Sequence, residues 1–202
     1  RGAAPIHWAI INGETETGVT TFFIDEKIDT GAIIMQEKIG IEPNESTGAL
    51  HDKLMHLGTD LVLKTVKAIE DDQVTTSIQP QNDNLKTAYK LHSANTKIDW
   101  EAPLEKIYNH IRGLNPYPVA WSLLKHNGKE ERVKVYSAFA KAYPEKMKHT
   151  DIGLITVKED YIEVSTKEGT ICITEIQLPG KRKMDVKSLL NGFKFHKNAK
   201  MR

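Results

Sequence analysis

The spacing of hydrophobic positions changes several times along the chain, and each change predicts a different element. In residues 2–13 the apolar side chains recur at helical spacing, and a glycine marks the end of this predicted helix. Residues 17–24 and 32–39 are rich in β-branched and aromatic side chains and predict two strands. Between them, residues 25–31 predict a loop in which Gly31 can adopt a positive φ.

A longer amphipathic segment follows the second strand. Ser46 or Thr47 can cap its N-terminus, and two acidic residues, Asp71 and Asp72, mark its end. Its apolar side chains repeat every three or four residues, as on one face of a helix: Leu50, Leu54, Leu57, Leu61, Val66 and Ile69. We therefore expect a long helix that packs through this stripe.

A polar, irregular stretch, residues 71–95, separates this helix from the rest of the chain and indicates a linker. A second helix is predicted at 102–114, with a proline in its first turn and an Asn-Pro-Tyr-Pro sequence that ends it. We therefore expect one domain at residues 1–75, a linker at 76–96 and a second domain at 97–202.

Short strand-like segments fill most of the second domain. They are residues 119–125, 132–139, 152–158, 161–166 and 170–178. A short helix, capped by Asp185 and ended by Gly192, follows the last of them. Because five strands at this spacing are typical of a small barrel such as an OB-fold, the predicted fold class is α/β followed by mostly β.

Charge is distributed unevenly, although the formal net charge is only +1. Residues 1–124 hold 11 Lys and Arg against 17 Asp and Glu, whereas residues 125–202 hold 17 against 10. This asymmetry indicates an acidic catalytic part and a basic part that binds polyanions. A lysine-rich solvated surface would produce the same balance, and composition alone does not separate the two.

Composition excludes few other classes of protein. The hydrophobic fraction of 39% is ordinary for a globular protein, and no run of about 18 apolar residues predicts a membrane span. Cys172 is the single cysteine, so no internal disulfide forms and a reducing compartment is expected. The eight histidines show no metal-ligand spacing, and we expect no metal site.

Two clusters carry candidate chemistry. Asp29 lies beside Gly31 in the predicted loop, where a carboxylate can hold a histidine in one tautomer and stabilise its charged form. An aspartate that hydrogen-bonds its own turn is the alternative, which spacing alone favours. Lys181, Arg182 and Lys183 follow a Pro-Gly turn, a position suited to phosphate contacts or to an ordinary solvated loop.

Six segments together resemble the methionyl-tRNA formyltransferase family. They are Arg-Gly-Ala-Ala-Pro-Ile (1–6), Glu-Thr-Gly-Val-Thr (16–20), Ile-Asp-Thr-Gly (28–31), Lys-Ile-Asp-Trp (97–100), Ile-Arg-Gly-Leu-Asn-Pro-Tyr-Pro-Val-Ala-Trp (111–121) and Pro-Gly-Lys-Arg-Lys-Met (179–184). Their order runs through essentially the whole chain. The resemblance implies transfer of a formyl group from 10-formyltetrahydrofolate to the amino group of methionyl initiator tRNA, in translation initiation.

The resemblance also implies a fold and a site. It implies that the chain begins inside a Rossmann-like domain and continues into an OB-like domain. In this family an Asn-His-Asp constellation carries the chemistry, and Asp29 matches its aspartate. The asparagine and histidine precede the Arg-Gly-Ala-Ala-Pro segment, so we expect them upstream of Arg1 and expect no appreciable turnover from residues 1–202 alone.

Further residues follow from the same resemblance. Asp25, Glu26 and Ile28 are expected to border the folate, and Lys181, Arg182 and Lys183 to contact tRNA. A monomer in the cytoplasm, or in the matrix of a bacterium-derived organelle, is expected. Two alternatives remain open: another 10-formyltetrahydrofolate-dependent transferase or hydrolase, and a tRNA-binding module without catalysis.

Overall fold

The computed structural model describes residues 2–80, 85–143 and 151–202. Its N-terminal part contains helix α1 (Pro5–Ile11), strands β1 (Glu16–Phe22) and β2 (Ile33–Gly40), and helix α2 (Thr47–Glu70). The two strands form an antiparallel hairpin that pairs Glu16 with Gly40 and Phe22 with Ile33, with a register shift between Thr21 and Phe22. Helix α2 packs on this hairpin.

The N-terminus of α2 is formed as the sequence predicts, but its apolar stripe is covered only in part. The Ser46 hydroxyl accepts a hydrogen bond from the Ala49 amide at 3.3 Å and caps the helix. Leu61 is 1% exposed, whereas Val66 and Ile69 are 48% and 42% exposed. The prediction was therefore wrong for the end of the stripe.

Helix geometry explains the exposure of Val66. Residues advance by about 100° around an α-helix, so Thr65 lies almost directly above Leu54 and Leu61, while Val66 is rotated far from that line. Thr65 is accordingly buried, and its hydroxyl lies 2.9 Å from that of Thr21 on β1. A threonine pair therefore continues the contact where the sequence pattern indicated aliphatic side chains.

The predicted linker runs along the N-terminal part and contacts it. Ser77 exchanges two backbone hydrogen bonds with Ile33, of 2.8 and 3.0 Å. The Ala3 amide donates to the Ala88 carbonyl at 2.8 Å, and the Trp8 indole donates to the Tyr89 carbonyl at 2.8 Å. Residues 81–84 of the linker lie outside the described part of the chain.

The second part consists of a helix followed by a barrel-like sheet, with a second, short helix before the last strand. Its elements are α3 (Leu104–Gly113), β3 (Ala120–His126), β4 (Lys129–Ala142), β5 (Ile155–Val157), β6 (Ile162–Ser165), β7 (Gly169–Gln177), β8 (Met184–Asp185), α4 (Val186–Leu190) and β9 (Lys200–Met201). The five predicted strands are confirmed. The two-residue strands β8 and β9 were not predicted, because two residues show no periodicity.

The sheet closes on itself. Its strand order is β5-β6-β7-β4-β3-β9, with β8 paired to β7. On the free side of β9, the Met201 amide donates to the Gly153 carbonyl at 2.8 Å, and the Ile155 amide donates to the Ala199 carbonyl at 3.0 Å. These bonds join β9 to the residues at the start of β5. Helix α3 covers the interior with Ile107, Ile111 and Leu114, each at most 2% exposed.

Candidate functional site

The loop between β1 and β2 is organised by Asp25. Its carboxylate accepts hydrogen bonds from the Lys27 amide at 3.0 Å and from the Thr30 hydroxyl at 2.7 Å. Gly31 lies against the opposite side of the loop, where a Cβ would be 1.5 Å from the Phe23 carbonyl oxygen. Only glycine fits there without a backbone shift. Gly31 does not have the left-handed φ that the sequence suggested, so this close approach is what requires a glycine.

Asp29 lies at the tip of the same loop. Its φ of +57° is in the left-handed region, which aspartate tolerates better than most residues. Its side chain is exposed and has no hydrogen-bond or ion-pair partner within residues 2–80, 85–143 and 151–202. Asp25 therefore makes the hydrogen bonds of the turn, and the Asp29 carboxylate is available to another group.

Of the three residues expected to border the folate, two line the same surface depression and one does not. Asp25 and Glu26 line an open depression of about 450 Å³, together with Lys27 and Thr30. Ile28 does not line it and is 90% exposed. The Asp25 carboxylate is already engaged within the loop, so Glu26 has the more available side chain for a ligand in this depression.

The basic turn connects β7 to β8. Gly180 has a φ of +67°, and the Gln177 side-chain amide donates to the Lys181 carbonyl at 2.8 Å, which closes the turn. The Lys183 ammonium lies 3.1 Å from the Glu175 carboxylate, so its charge is partly neutralised. Lys181 and Arg182 are exposed and have no side-chain partner in the described parts of the chain.

Two further cations lie on the same outer side of the barrel and were missed from the sequence. Arg132 and Lys134 are exposed on β4, where they alternate with the buried Val133 and Val135. Lys134 is directly opposite Gln177, next to the basic turn. The alternation of cations with valines was the available signal. We call Arg132, Lys134, Lys181, Arg182 and Lys183 the cationic face.

Trp121 extends this face with an aromatic ring. The Arg132 guanidinium carbon lies 4.1 Å from its ring centroid, and the Lys97 ammonium lies 5.7 Å from it. The Trp121 indole N–H donates to the Ser93 carbonyl at 2.8 Å, which fixes the orientation of the ring. Arginine held over an aromatic ring is a stable cation–π arrangement.

A separate cavity of about 510 Å³ lies between α1 and α3 and does not include the Asp29 loop. His110 lines it, and burial lowers the pKa of this histidine.

Burial raises the pKa of the Cys172 thiol, so this cysteine is a poor nucleophile. In the described ranges we find no group of three or more potential metal ligands and no helix apolar enough to cross a membrane.

Loop and barrel together define a class of protein in which an exposed carboxylate on a hairpin is combined with a cationic β-barrel. Residues 1–66 match the family described as formyl transferase, and residues 90–194 match the family described as formyl transferase, C-terminal domain. The second match alone covers half of the chain. The chain belongs to the formyl transferase family.

Relatives with curated names agree with this family. Methionyl-tRNA formyltransferase of Flavobacterium johnsoniae is 52% identical over 201 residues, which are 100% of this chain and 63% of that protein. The protein of the same name from Bacteroides thetaiotaomicron is 41% identical over 206 residues, with coverage of 100% and 63%. The chain thus spans less than two thirds of the length of these relatives.

Solved structures share the fold at low identity. HypX from Aquifex aeolicus, in complex with tetrahydrofolic acid, has a TM-score of 0.69 at 19% identity over 95% of this chain and 33% of its own. An N-formyltransferase from Helicobacter canadensis, in complex with folinic acid and dTDP-3-aminofucose, has a TM-score of 0.65 at 22% identity. It covers 91% of this chain and 62% of its own. These similarities support the arrangement of hairpin, helices and barrel.

Proposed function

We propose that the protein transfers the formyl group of 10-formyltetrahydrofolate to the amino group of methionyl initiator tRNA, in translation initiation. The observation that carries this proposal is the 52% identity, over the whole chain, to a protein named methionyl-tRNA formyltransferase. Similarity that continues through both the hairpin and the barrel favours the same pair of substrates. Formylation then takes place in the cytoplasm, or in the matrix of a bacterium-derived organelle, on a monomeric enzyme.

The two parts of the chain have different tasks in this proposal. Residues 1–75 are the C-terminal part of a Rossmann-like catalytic domain, residues 76–96 link it to the barrel, and residues 97–202 form an OB-like tRNA-binding domain. The exposed loop around Asp29 supports the first assignment, and the cationic face supports the second. Phosphates of tRNA are the polyanion that such a face fits.

The chemistry is an acyl transfer to nitrogen. The neutral amine of methionine attacks the formyl carbon, the bond from that carbon to the folate nitrogen breaks, and the amine proton leaves with the tetrahydrofolate product. Asp29 favours the cationic form of the histidine that the resemblance implies, and this histidine with the asparagine stabilises the oxyanion. The absence of any partner for Asp29 in the described residues is consistent with this role.

The product of the complete open reading frame that encodes this chain provides the test. We expect it to formylate methionyl initiator tRNA in the presence of 10-formyltetrahydrofolate. We expect Asp29→Asn to lower kcat by about 100-fold or more, because the charge that orients the acid–base group is lost. Absence of formylation by the unaltered product would refute the proposal.

One observation supports a second candidate, tRNA binding without catalysis. Within residues 2–80, 85–143 and 151–202, Lys181 and Arg182 have no side-chain partner, and this does not depend on the chemistry at Asp29. Salt-sensitive tRNA binding by a product that does not formylate would favour this candidate over the enzyme. A third result, formylation of another amine but not of methionyl-tRNA, would favour a different formyltetrahydrofolate-dependent enzyme.

A further inference from the structure

The N-terminus of α2 and the C-terminus of α3 meet and complete each other's hydrogen bonds. The Thr47 hydroxyl donates to the Gly113 carbonyl at 2.7 Å, and the Gly48 amide donates to the Asn115 carbonyl at 3.1 Å. The first amides of a helix and the last carbonyls have no partner within their own helix. Each helix therefore supplies groups that the other lacks, and the positive end of one dipole faces the negative end of the other.

Arg112 occupies the centre of this junction. Its Nη1 donates to the Glu45 carbonyl at 2.9 Å, and its Nε donates to the Asn109 side-chain oxygen at 2.8 Å. Glu45 is 8% exposed, and its carboxylate accepts hydrogen bonds from the Glu42 amide and the Lys53 ammonium, each at 3.0 Å. Removal of the guanidinium would leave the Glu45 carbonyl and the Asn109 oxygen without these donors, and buried unpaired acceptors are costly.

Neighbouring packing leaves little room for movement at the junction. A Cβ on Gly48 would lie 2.8 Å from Pro116 Cδ, and a Cβ on Gly113 would lie 2.6 Å from Ile11 Cγ1. Val119, just beyond, has a φ of +77°, which is strained for a β-branched residue and persists only where the surroundings determine it. The junction is therefore close-packed as well as hydrogen-bonded.

The two sides of the junction lead to the two candidate sites. Helix α2 packs on the hairpin that carries Asp29. On the other side, the Asn115 side-chain amide donates to the backbone carbonyl of Tyr136 on β4. The Tyr136 ring lies 5.3 Å below the Lys183 ammonium of the cationic face. A short series of contacts thus connects the cationic face to the helix behind the Asp29 loop.

We propose that Arg112 is a positioning residue that fixes the cationic face at one orientation relative to the Asp29 loop. An RNA bound by the barrel then presents its aminoacylated end to the loop, because the two parts of the chain do not reorient relative to each other. This inference rests on the proposed function for its RNA partner, but its geometric part concerns this chain alone. In this proposal Arg112 acts through the two helix ends and not through a substrate contact.

The orientation can be measured on the chain as it is, with one spin label on each side. Exposed Lys38 on β2 and exposed Lys187 on α4 are replaced by cysteine and labelled, while the native Cys172 is buried. We expect one narrow distance distribution between the labels, and a broader or shifted one after Arg112→Met, which keeps an aliphatic side chain but removes both donors. Lys106→Met, an exposed cation on the same helix, is the matched control and should change nothing.

Thr47→Val provides a second, milder variant if Arg112→Met does not fold. It removes only the hydroxyl bond to Gly113, and we expect a smaller broadening in the same direction. A distribution that is equally narrow in the folded variants and in the unaltered chain would overturn the proposal. A broad distribution in the unaltered chain would overturn it as well.

Two substrates separate positioning from general damage in the full open-reading-frame product. One is methionyl initiator tRNA, and the other is a methionylated RNA hairpin too short to reach the barrel. We expect Arg112→Met to lower kcat/KM for the tRNA by about 10- to 100-fold and to leave the hairpin unaffected, because a small misplacement is costly only when the barrel holds the RNA. Equal losses for both substrates would refute the positioning role.

The label distances and the kinetics with the two RNAs together distinguish a failure of this inference from a failure of the proposed function. If the unaltered product formylates neither RNA, the proposed function fails, and the RNA part of the inference fails with it. The label distances still decide whether Arg112 fixes the orientation. Arg112→Lys is expected to restore the narrow distribution only in part, because lysine keeps the charge but lacks the planar fork that serves two acceptors.

Discussion

The cationic face makes a quantitative prediction about salt. Each phosphate contact adds about 0.7 to 0.9 to the slope of log affinity against log salt concentration, so a rise from 50 to 200 mM weakens binding by about threefold for each contact. Lys181 and Arg182 have no side-chain partner in the described residues. We therefore expect Lys181→Ala with Arg182→Ala to reduce the slope by about 1.4 to 1.8.

Fluorescence anisotropy with labelled initiator tRNA, titrated at several salt concentrations, measures this slope. Over the same range of salt, the unaltered protein should lose about ninefold more affinity than the double variant. The control is Lys38→Ala with Lys64→Ala, which removes two lysines of the N-terminal part that are paired with Glu16 and Glu37. Equal slopes for the unaltered protein and the Lys181/Arg182 variant would refute the assignment of these residues to RNA contact.

Lys183 refines the same prediction, because the structure pairs it with Glu175 at 3.1 Å. We expect Lys183→Ala to change the slope by less than either neighbour does, since part of its charge is already neutralised. Glu175→Gln should steepen the slope, because it releases the ammonium for a phosphate. A Lys183→Ala effect larger than that of Lys181→Ala would show that the pairing does not persist in the complex.

Three other predictions concern stability. Ile111→Ala should lower the free energy of unfolding, measured in urea, by about 2–5 kcal/mol. Leu63 is 66% exposed, so Leu63→Ala should change it by no more than about 0.5 kcal/mol. Similar losses for both variants would contradict the assignment of Ile111 to the core. Ser46→Ala should cost about 1 kcal/mol through loss of the α2 cap, and Ser46→Asp should retain most of it. Burial holds the pKa of folded His110 below its ordinary 6.5, so the unfolded chain binds the proton more readily and stability falls as the pH drops through about 6.5. His110→Gln should flatten that part of the pH profile of urea unfolding, and an unchanged profile would contradict this origin.

Local features of the fold were predictable from sequence because their causes are local. The hairpin follows from two runs rich in β-branched and aromatic side chains, and the caps of α2 and α4 follow from Ser46 and Asp185. The Asp29 loop was placed correctly between its strands. The sequence did not predict which aspartate hydrogen-bonds within the loop. No pattern distinguishes Asp25, which makes these bonds, from Asp29, which does not.

Features that depend on distant residues escaped the sequence analysis. Closure of the barrel needs β9, two residues long, and the helix junction needs Thr47 to meet Gly113, which is 66 positions away. Arg132 and Lys134 cannot be recognised from the sequence as neighbours of the basic turn, because the pairing of β4 with β7 brings them there. In each case the deciding contact is set by tertiary packing, which periodicity within a short window does not report.

Closure of the barrel by β9 has a consequence for synthesis of the protein. Leu124 pairs with Met201, and the Leu123 and Arg202 backbones exchange hydrogen bonds of 3.0 and 2.8 Å. While residue 200 is still inside the ribosome, the end of β3 at residues 123–125 has no neighbour on that side, although Trp121 on the same edge already bonds with residues 96–98. The nascent barrel therefore presents a short unpaired edge at residues 123–125 until translation passes this point, and an unpaired edge invites pairing with another chain. A chaperone that shields exposed strand edges should accordingly bind ribosomes stalled before residue 200, and bind less when an added C-terminal linker carries residue 200 out of the ribosome before the stall.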